Sequence, residues 1–181
     1  MSDLLTSPVV TGRTNRERYA ALTDIRVQDP EAIRRAADAR TKRSLSGDDG
    51  RLMIIAADHP ARGANGVGDR PLAMGNRISL LERLETALAR PGVDGLLASP
   101  DILEDLLLLG ALENKVAIGS MNRGGLQGAV FELDDQFTGY DARACADMGL
   151  NGGKTLTRIA LDDPGTLNTM TATAKAINEL A

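Results

Sequence analysis

Residues 51–59, RLMIIAADH, decide the fold. Leu52 to Ala57 is an unbroken apolar run, too short for a buried helix and followed by a loop rich in Pro and Gly. Such a run reads as a parallel strand buried on both faces. It stops abruptly at Asp58 and His59. A carboxylate at the C-terminal end of a buried parallel strand stands where α/β folds place their chemistry. The rest of the chain reads as further strand–loop–helix units built on this first one.

Working outward, residues 60–75 form a long loop carrying Gly63, Gly66, Gly68 and Gly75. A helix is expected over 76–90, with Ile78, Leu81, Leu84 and Leu88 on one apolar face, stopped by Pro91-Gly92. A second strand follows at 93–98, and Ser99-Pro100-Asp101 opens a Leu-rich helix over 101–112. A third strand centres on Val116 to Ile118 and ends in Gly119-Ser120. A long loop over 120–138 leads to a helix at 139–148, a fourth strand at 152–159, and a last helix from Asp163-Pro164-Gly165 to the end. Four strand–helix pairs at about 25–35 residues each are the pattern of repeated βα units, and right-handed crossovers make their strands parallel. Upstream, residues 1–14 read as a tail and Asn15 to Thr23 as a short helix. Asp29-Pro30-Glu31 starts an Ala/Arg-rich helix over 32–42, with Asp as cap and Pro in the first turn. Residues 1–48 are thus a tail and helical extension ahead of a βα domain over 49–181.

The composition excludes several classes. The chain has 181 residues and a net charge of -4, which suits one domain. With 2% aromatic residues and no Trp, the core must be built from aliphatic side chains. Mild acidity and the lack of stacking residues argue against nucleic acid as partner. The basic cluster over 34–43 alternates with Ala and reads as a solvated helix face. One Cys and one His exclude an internal disulfide and multi-His or Cys-rich metal centres, and Cys145 reads as a small core residue. No apolar run reaches the length of a membrane span and no signal-peptide core is evident, so the default is a soluble cytoplasmic protein.

Two architectures remain open on this pattern. One is a complete small doubly wound sheet, a flavodoxin-like non-catalytic binding module. The other is the first half, strands 1–4, of a TIM (β/α)8 barrel, which needs about 250 residues.

Asp58 is the first catalytic candidate, against the plain alternative of a strand-end carboxylate capping its loop. Adjoining His59 suits substrate orientation better than base chemistry. Lys154 is the second. A lysine on a buried parallel strand is costly unless it points into a site, where a partly desolvated amine serves as acid/base or nucleophile; the alternative is a strand-end lysine reaching water. Gly152-Gly153-Lys154-Thr155 is not a phosphate loop. The glycine required five residues before Gly153 is replaced by Met148, and the motif leads into a strand rather than out of one. Gly63 to Gly68 is not a dinucleotide fingerprint and reads as a flexible lid. Arg123, in a Gly-rich strand-end loop, suits a phosphate or carboxylate, while Glu132, Asp134 and Asp135 read as solvated.

Three stretches carry a family resemblance: the strand ending in Asp58-His59-Pro60, IGSMNRGGLQGAVFELDDQFTGYDA (118–142) and GLNGGKTLTRIALDDPGTL (149–167). Together they resemble an actinobacterial group of (β/α)8 proteins in the deoxyribose-phosphate and tagatose-bisphosphate aldolase superfamily, matched by their N-terminal portion only. The resemblance implies a class I aldolase, a cofactor-free lyase forming a Schiff base on a strand-six lysine. Asp58 matches the strand-one aspartate and Lys154 the strand-four lysine of proton transfer. His59, Ser120, Asn122 and Arg123 would bind substrate. The strand-six lysine would lie beyond Ala181, so this stretch alone is expected to be inactive, with strands 1 and 4 as open edges. Thr155, Thr157 and Ala160 depart from the group's usual fourth-strand segment. The implied substrate is a small phosphorylated sugar or keto-acid, with an association with inositol catabolism, and the full-length protein would be a homo-oligomer.

Overall fold

A computed structural model describes residues 14–47, 49–122 and 137–181. Among these, four parallel strands, β1 (Ile54–Ala57), β2 (Gly95–Ala98), β3 (Val116–Ser120) and β4 (Gly152–Lys154), form one sheet in the order β1-β2-β3-β4. Six α-helices accompany it: α1 (Asn15–Gln28), α2 (Glu31–Ala39), α3 (Arg77–Leu88), α4 (Pro100–Leu108), α5 (Ala142–Asp147) and α6 (Gly165–Leu180). The α/β class and parallel βα repeats are as expected. Among the described strands the order has no reversal, however, and so no switch point of the kind the flavodoxin-like alternative has.

The register explains which face holds the core. Ala57, Ala98 and Gly119 share one row, as do Ile55, Leu96 and Ala117. Leu96, Ala98 and Ala117 of this face are fully buried. They join a cluster with Leu81, Leu84 and Leu88 of α3 and Ile102, Leu103 and Leu106 of α4. The other face carries Ala56, Leu97 and Ile118 in one row, of which Ala56 is exposed and the other two half-buried. The expectation of a first strand buried on both faces is therefore corrected. The six-residue run is apolar throughout, but only alternate residues meet the helices, and Leu52 and Met53 lie exposed ahead of the ladder.

Other expectations shift for local reasons. In α3 the inward face is Leu80, Leu81, Leu84 and Leu88, while Ile78 is 45% exposed. Asn76, which accepts a hydrogen bond from the Ser79 amide, sets the start of the helix. β4 ends at Lys154 rather than reaching 159 because the ladder is taken over by a side chain. Asn122 Oδ1 accepts from the Leu156 amide and Nδ2 donates to the Leu156 carbonyl, both at 2.8 Å. Gly153 lies close under Met121 in that strand: a Cβ there would clash with Met121 Sδ, and the Met121 side chain would have to shift. That contact concerns Gly153 alone, since a Cβ at Gly152 would meet nothing within 4 Å.

The N-terminal helices pack on the same core. Tyr19 and Leu22 of α1 and Ala32 and Ala37 of α2 belong to the buried cluster. Arg18 and the Tyr19 hydroxyl both hold Glu85 at 2.6 Å. Buried Asp105 receives Arg26 from α1 and Arg77 from α3. The basic cluster over 34–43 is only partly the solvated face expected. Arg34 and Arg35 are exposed, but Arg40 lies past the end of α2 and is 7% exposed. Its guanidinium donates to the carbonyls of Lys115 at 3.0 Å and Gly149 at 2.9 Å, at the N-terminal ends of β3 and β4. Burial lowers its pKa, partly offset by Glu113. No described helix is long and apolar enough to cross a membrane.

Candidate functional site

The register that buries the helix-facing row also sets the site. Ser120 pairs with Lys154 across β3 and β4. Asp58 follows Ala57, which lies in the row of Ala98 and Gly119. Asp58, Ser99, Ser120 and Lys154 thus form the next row, at the C-terminal end of the sheet and on the less buried face. Ser99 turns away to donate to Asp101 at the start of α4. The other three meet. Asp58 Oδ2 accepts from Lys154 Nζ at 2.8 Å and from Ser120 Oγ at 3.1 Å.

That meeting carries information about shape. Asp58 and Lys154 stand three strand intervals apart, about 14 Å in a flat sheet. Side chains perpendicular to a flat sheet could not span this. The contact requires the sheet to curl, with the Asp58–Lys154 face concave.

A fourth group joins them. After β1 the chain makes a 3-10 turn, Pro60–Arg62, closed by Gly63 in the left-handed region (φ 74°). The turn brings Arg62 back over the strand end, where its Nη2 reaches Asp58 Oδ2 at 2.5 Å. Asp58 is 3% exposed, a burial that an ionised carboxylate tolerates only when paired. Here two cations and a hydroxyl share one of its oxygens. Arg62 Nε is also buried, with no hydrogen-bond partner among the described residues. Arg62 was missed in the sequence. The usable signal was its position four residues after Asp58, the spacing of an ion pair across one helical turn.

Of the other residues expected to bind substrate, Ser120 is in the site and buried. Asn122 is 1% exposed and its carboxamide is engaged by the Leu156 backbone, so it holds the strand carrying Lys154. His59 is exposed, and its carbonyl closes the turn by accepting from the Arg62 and Ala64 amides. Arg123, with Glu132, Asp134 and Asp135, lies outside the described residues. The loop expected as a lid is pinned by the Met74 amide on the Asn65 carbonyl and by a bridge between Val67 and Arg70.

A cavity of about 580 Å³ lies elsewhere, between α1, α3 and α4. Its Arg26 and Arg77 are both committed to Asp101 and Asp105, which leaves it no free cation of theirs for an anion. Among the described residues, no group of three or more His, Cys, Asp or Glu is placed to hold a metal.

The model of the Cgl0159-like family matches residues 50–181, so the chain belongs to that family. The crystal structure of Cgl0159 from Corynebacterium glutamicum (Brevibacterium flavum) is similar, with a TM-score of 0.87 at 51% sequence identity. The match covers 96% of this chain and 57% of that one; this chain therefore spans little more than half the length of that relative. No curated protein matches.

Proposed function

We propose that this member of the Cgl0159-like family contributes one wall of a class I aldolase site, with its four strands forming the first half of a (β/α)8 barrel. The reaction class is carbon–carbon lyase chemistry through a Schiff base on a small phosphorylated sugar or keto-acid. The observation carrying this reading is the 2.8 Å contact between Asp58 and Lys154 across three strand intervals. It supports a strongly curved sheet with an acid/base pair on its concave face, at the strand ends where barrels of this kind hold their chemistry. The unreversed parallel order of the strands supports the same reading, and so does the resemblance of residues 118–142 and 149–167 to the aldolase superfamily.

In this scheme a lysine on a sixth strand, outside the residues present here, condenses with the substrate carbonyl. Asp58 takes the proton from the substrate hydroxyl as the carbon–carbon bond breaks. Lys154 holds Asp58 in place and stabilises charge on the carbinolamine, and its positive charge lowers the pKa of the attacking amine. Ser120 fixes the carboxylate from the other side.

Borohydride reduction in the presence of dihydroxyacetone phosphate or pyruvate tests the proposal on the Corynebacterium relative. Mass spectrometry should find one reduced adduct, on a lysine outside the matched portion. Replacing the residues equivalent to Asp58 and Lys154 should slow its formation. The 181-residue chain should form none. An adduct on Lys154 itself would overturn the assigned roles, and no adduct on the relative with either compound would overturn the Schiff-base reading.

A further inference from the structure

We propose that Arg62 is the receptor for an anionic oxygen group, carboxylate or phosphate, on the small carbonyl compound handled beside Asp58 and Lys154. The substrate class rests on the reading given under Proposed function. Three observations lead to it. First, among the described residues the cluster has a cation in excess: Arg62 and Lys154 both bear on one oxygen of Asp58. A site with that surplus favours an anionic ligand. Second, the guanidinium is half used. A guanidinium offers parallel donors matched to the two oxygens of a carboxylate or phosphate. Here Nη2 has Asp58 Oδ2, while buried Nε has no acceptor among the described residues. Third, the placement is built in. The 3-10 turn ends in left-handed Gly63 and carries Arg62 to the C-terminal end of β1, with its side chain 13% exposed.

Asp58 Oδ2 thus occupies part of the position that a ligand oxygen would take. When the ligand binds, the guanidinium turns from Asp58 onto the anion and engages it through Nε and one Nη. Asp58 is left with Lys154 and Ser120 as partners. Anion binding and release of the carboxylate are then one event, and a neutral carbonyl compound cannot trigger it. Arg62 both selects for charge and sets the state of Asp58.

The test uses the 181-residue chain labelled with 15N-arginine. The Nε–Hε cross-peak of Arg62 is assigned by its loss in Arg62→Lys. Inorganic phosphate and pyruvate are titrated separately at constant ionic strength, with acetone as the neutral control. The expected result is a saturable shift of that peak with phosphate, pyruvate or both, and none with acetone. The stronger of the two identifies the anionic group. Arg62→Lys keeps the charge but loses the fork, and should bind at least tenfold more weakly, with both proteins uniformly 15N-labelled and read from the Ser120 amide, while its thermal melt stays within a few degrees of the parent. A peak that does not move, an equal response to acetone, or unchanged affinity in Arg62→Lys would overturn the proposal. If Arg62→Lys does not fold, the titration of the parent decides, with the peak assigned from Arg62→Gln or from backbone-linked spectra. A phosphate-dependent shift without borohydride adducts on the relative would uphold Arg62 and sink the Schiff-base reading; an adduct without the shift would do the reverse.

Discussion

Replacing Asp58 by Asn removes the charge that two cations share. Arg62 and Lys154 approach the same oxygen at 2.5 Å and 2.8 Å, so their charged groups lie within about 5 Å of each other. At that separation and an effective dielectric of about 20, two unit charges repel by about 3 kcal/mol, a repulsion that the parent offsets with the shared carboxylate and the variant leaves uncompensated. The carboxamide oxygen still accepts hydrogen bonds, but each loses its charge assistance, about 1 kcal/mol apiece. Lys154 is 24% exposed and can swing partly into water, which relieves some of the repulsion. The net cost of Asp58→Asn should be about 3–4 kcal/mol. Lys154→Met leaves Asp58 with Arg62 and Ser120 and should cost only about 1 kcal/mol. The double variant has no facing cations, so it should be about 2 kcal/mol more stable than Asp58→Asn alone. Urea unfolding at pH 7 measures all three. It is best followed by far-ultraviolet circular dichroism, because the chain has no Trp. An unchanged slope with denaturant confirms that stability alone has moved. If Lys154→Met costs as much as Asp58→Asn, or if the two changes simply add, the shared-oxygen geometry is wrong and the site argument fails with it.

Three more predictions concern the surroundings of the site. Asn122→Ala strips the Leu156 backbone of both its partners and should cost about 2–4 kcal/mol; amide exchange should show Leu156 losing protection before the rest of the sheet. Burial first, with Asp141 adding to it, pushes the Cys145 thiol up to about 11. Iodoacetamide at pH 8 should therefore react slowly with the native chain and promptly once urea unfolds it. Burial would raise the carboxyl pKa of Asp101, but the Ser99 hydroxyl, Arg77 and the Ile102 amide outweigh it and hold it below the ordinary value. With the folded pKa the lower one, its stabilisation is complete above pH about 4 and fades as pH falls through the folded value. Asp101→Asn should flatten the acid limb of a stability–pH curve.

Much of the fold was legible because short apolar runs alternate with helical periods and with breaks such as Pro91-Gly92 and Ser99-Pro100. What failed to show has common physical causes. Leu52 to Ala57 is uniformly apolar, so nothing local marks which alternate residues face helices; register with β2 decides that. Leu80 and Ile78 are both apolar, and only packing against the rest of the core decides which of them α3 turns inward. The end of β4 is set by Asn122, which holds Leu156 from 34 positions away. Arg40 sits in a basic run that reads as solvated, yet its partners are two backbone carbonyls, which no sequence pattern reveals. The site was half legible. Asp58 and Lys154 stood out as charges at the ends of apolar or Gly-rich strands, and the row pairing that joins them to Ser120 follows from parallel register. Arg62 was hidden because a 3-10 turn of three residues leaves little periodicity to find.

The Arg40 anchor has a consequence for synthesis. Its two acceptors are separated from it by 75 and 109 residues. On a ribosome adding about 5–20 residues per second, the Gly149 carbonyl follows Arg40 by roughly 5–20 s. During that interval the guanidinium can reach at most the Lys115 carbonyl, and the chain after α2 lacks its second tether to the strand ends. Docking of the leading helices onto the sheet can be completed only after the third crossover has been made. A nascent chain stalled before residue 149 could thus already lay α1 and α2 against α3 and α4, but would hold Arg40 by the Lys115 carbonyl alone.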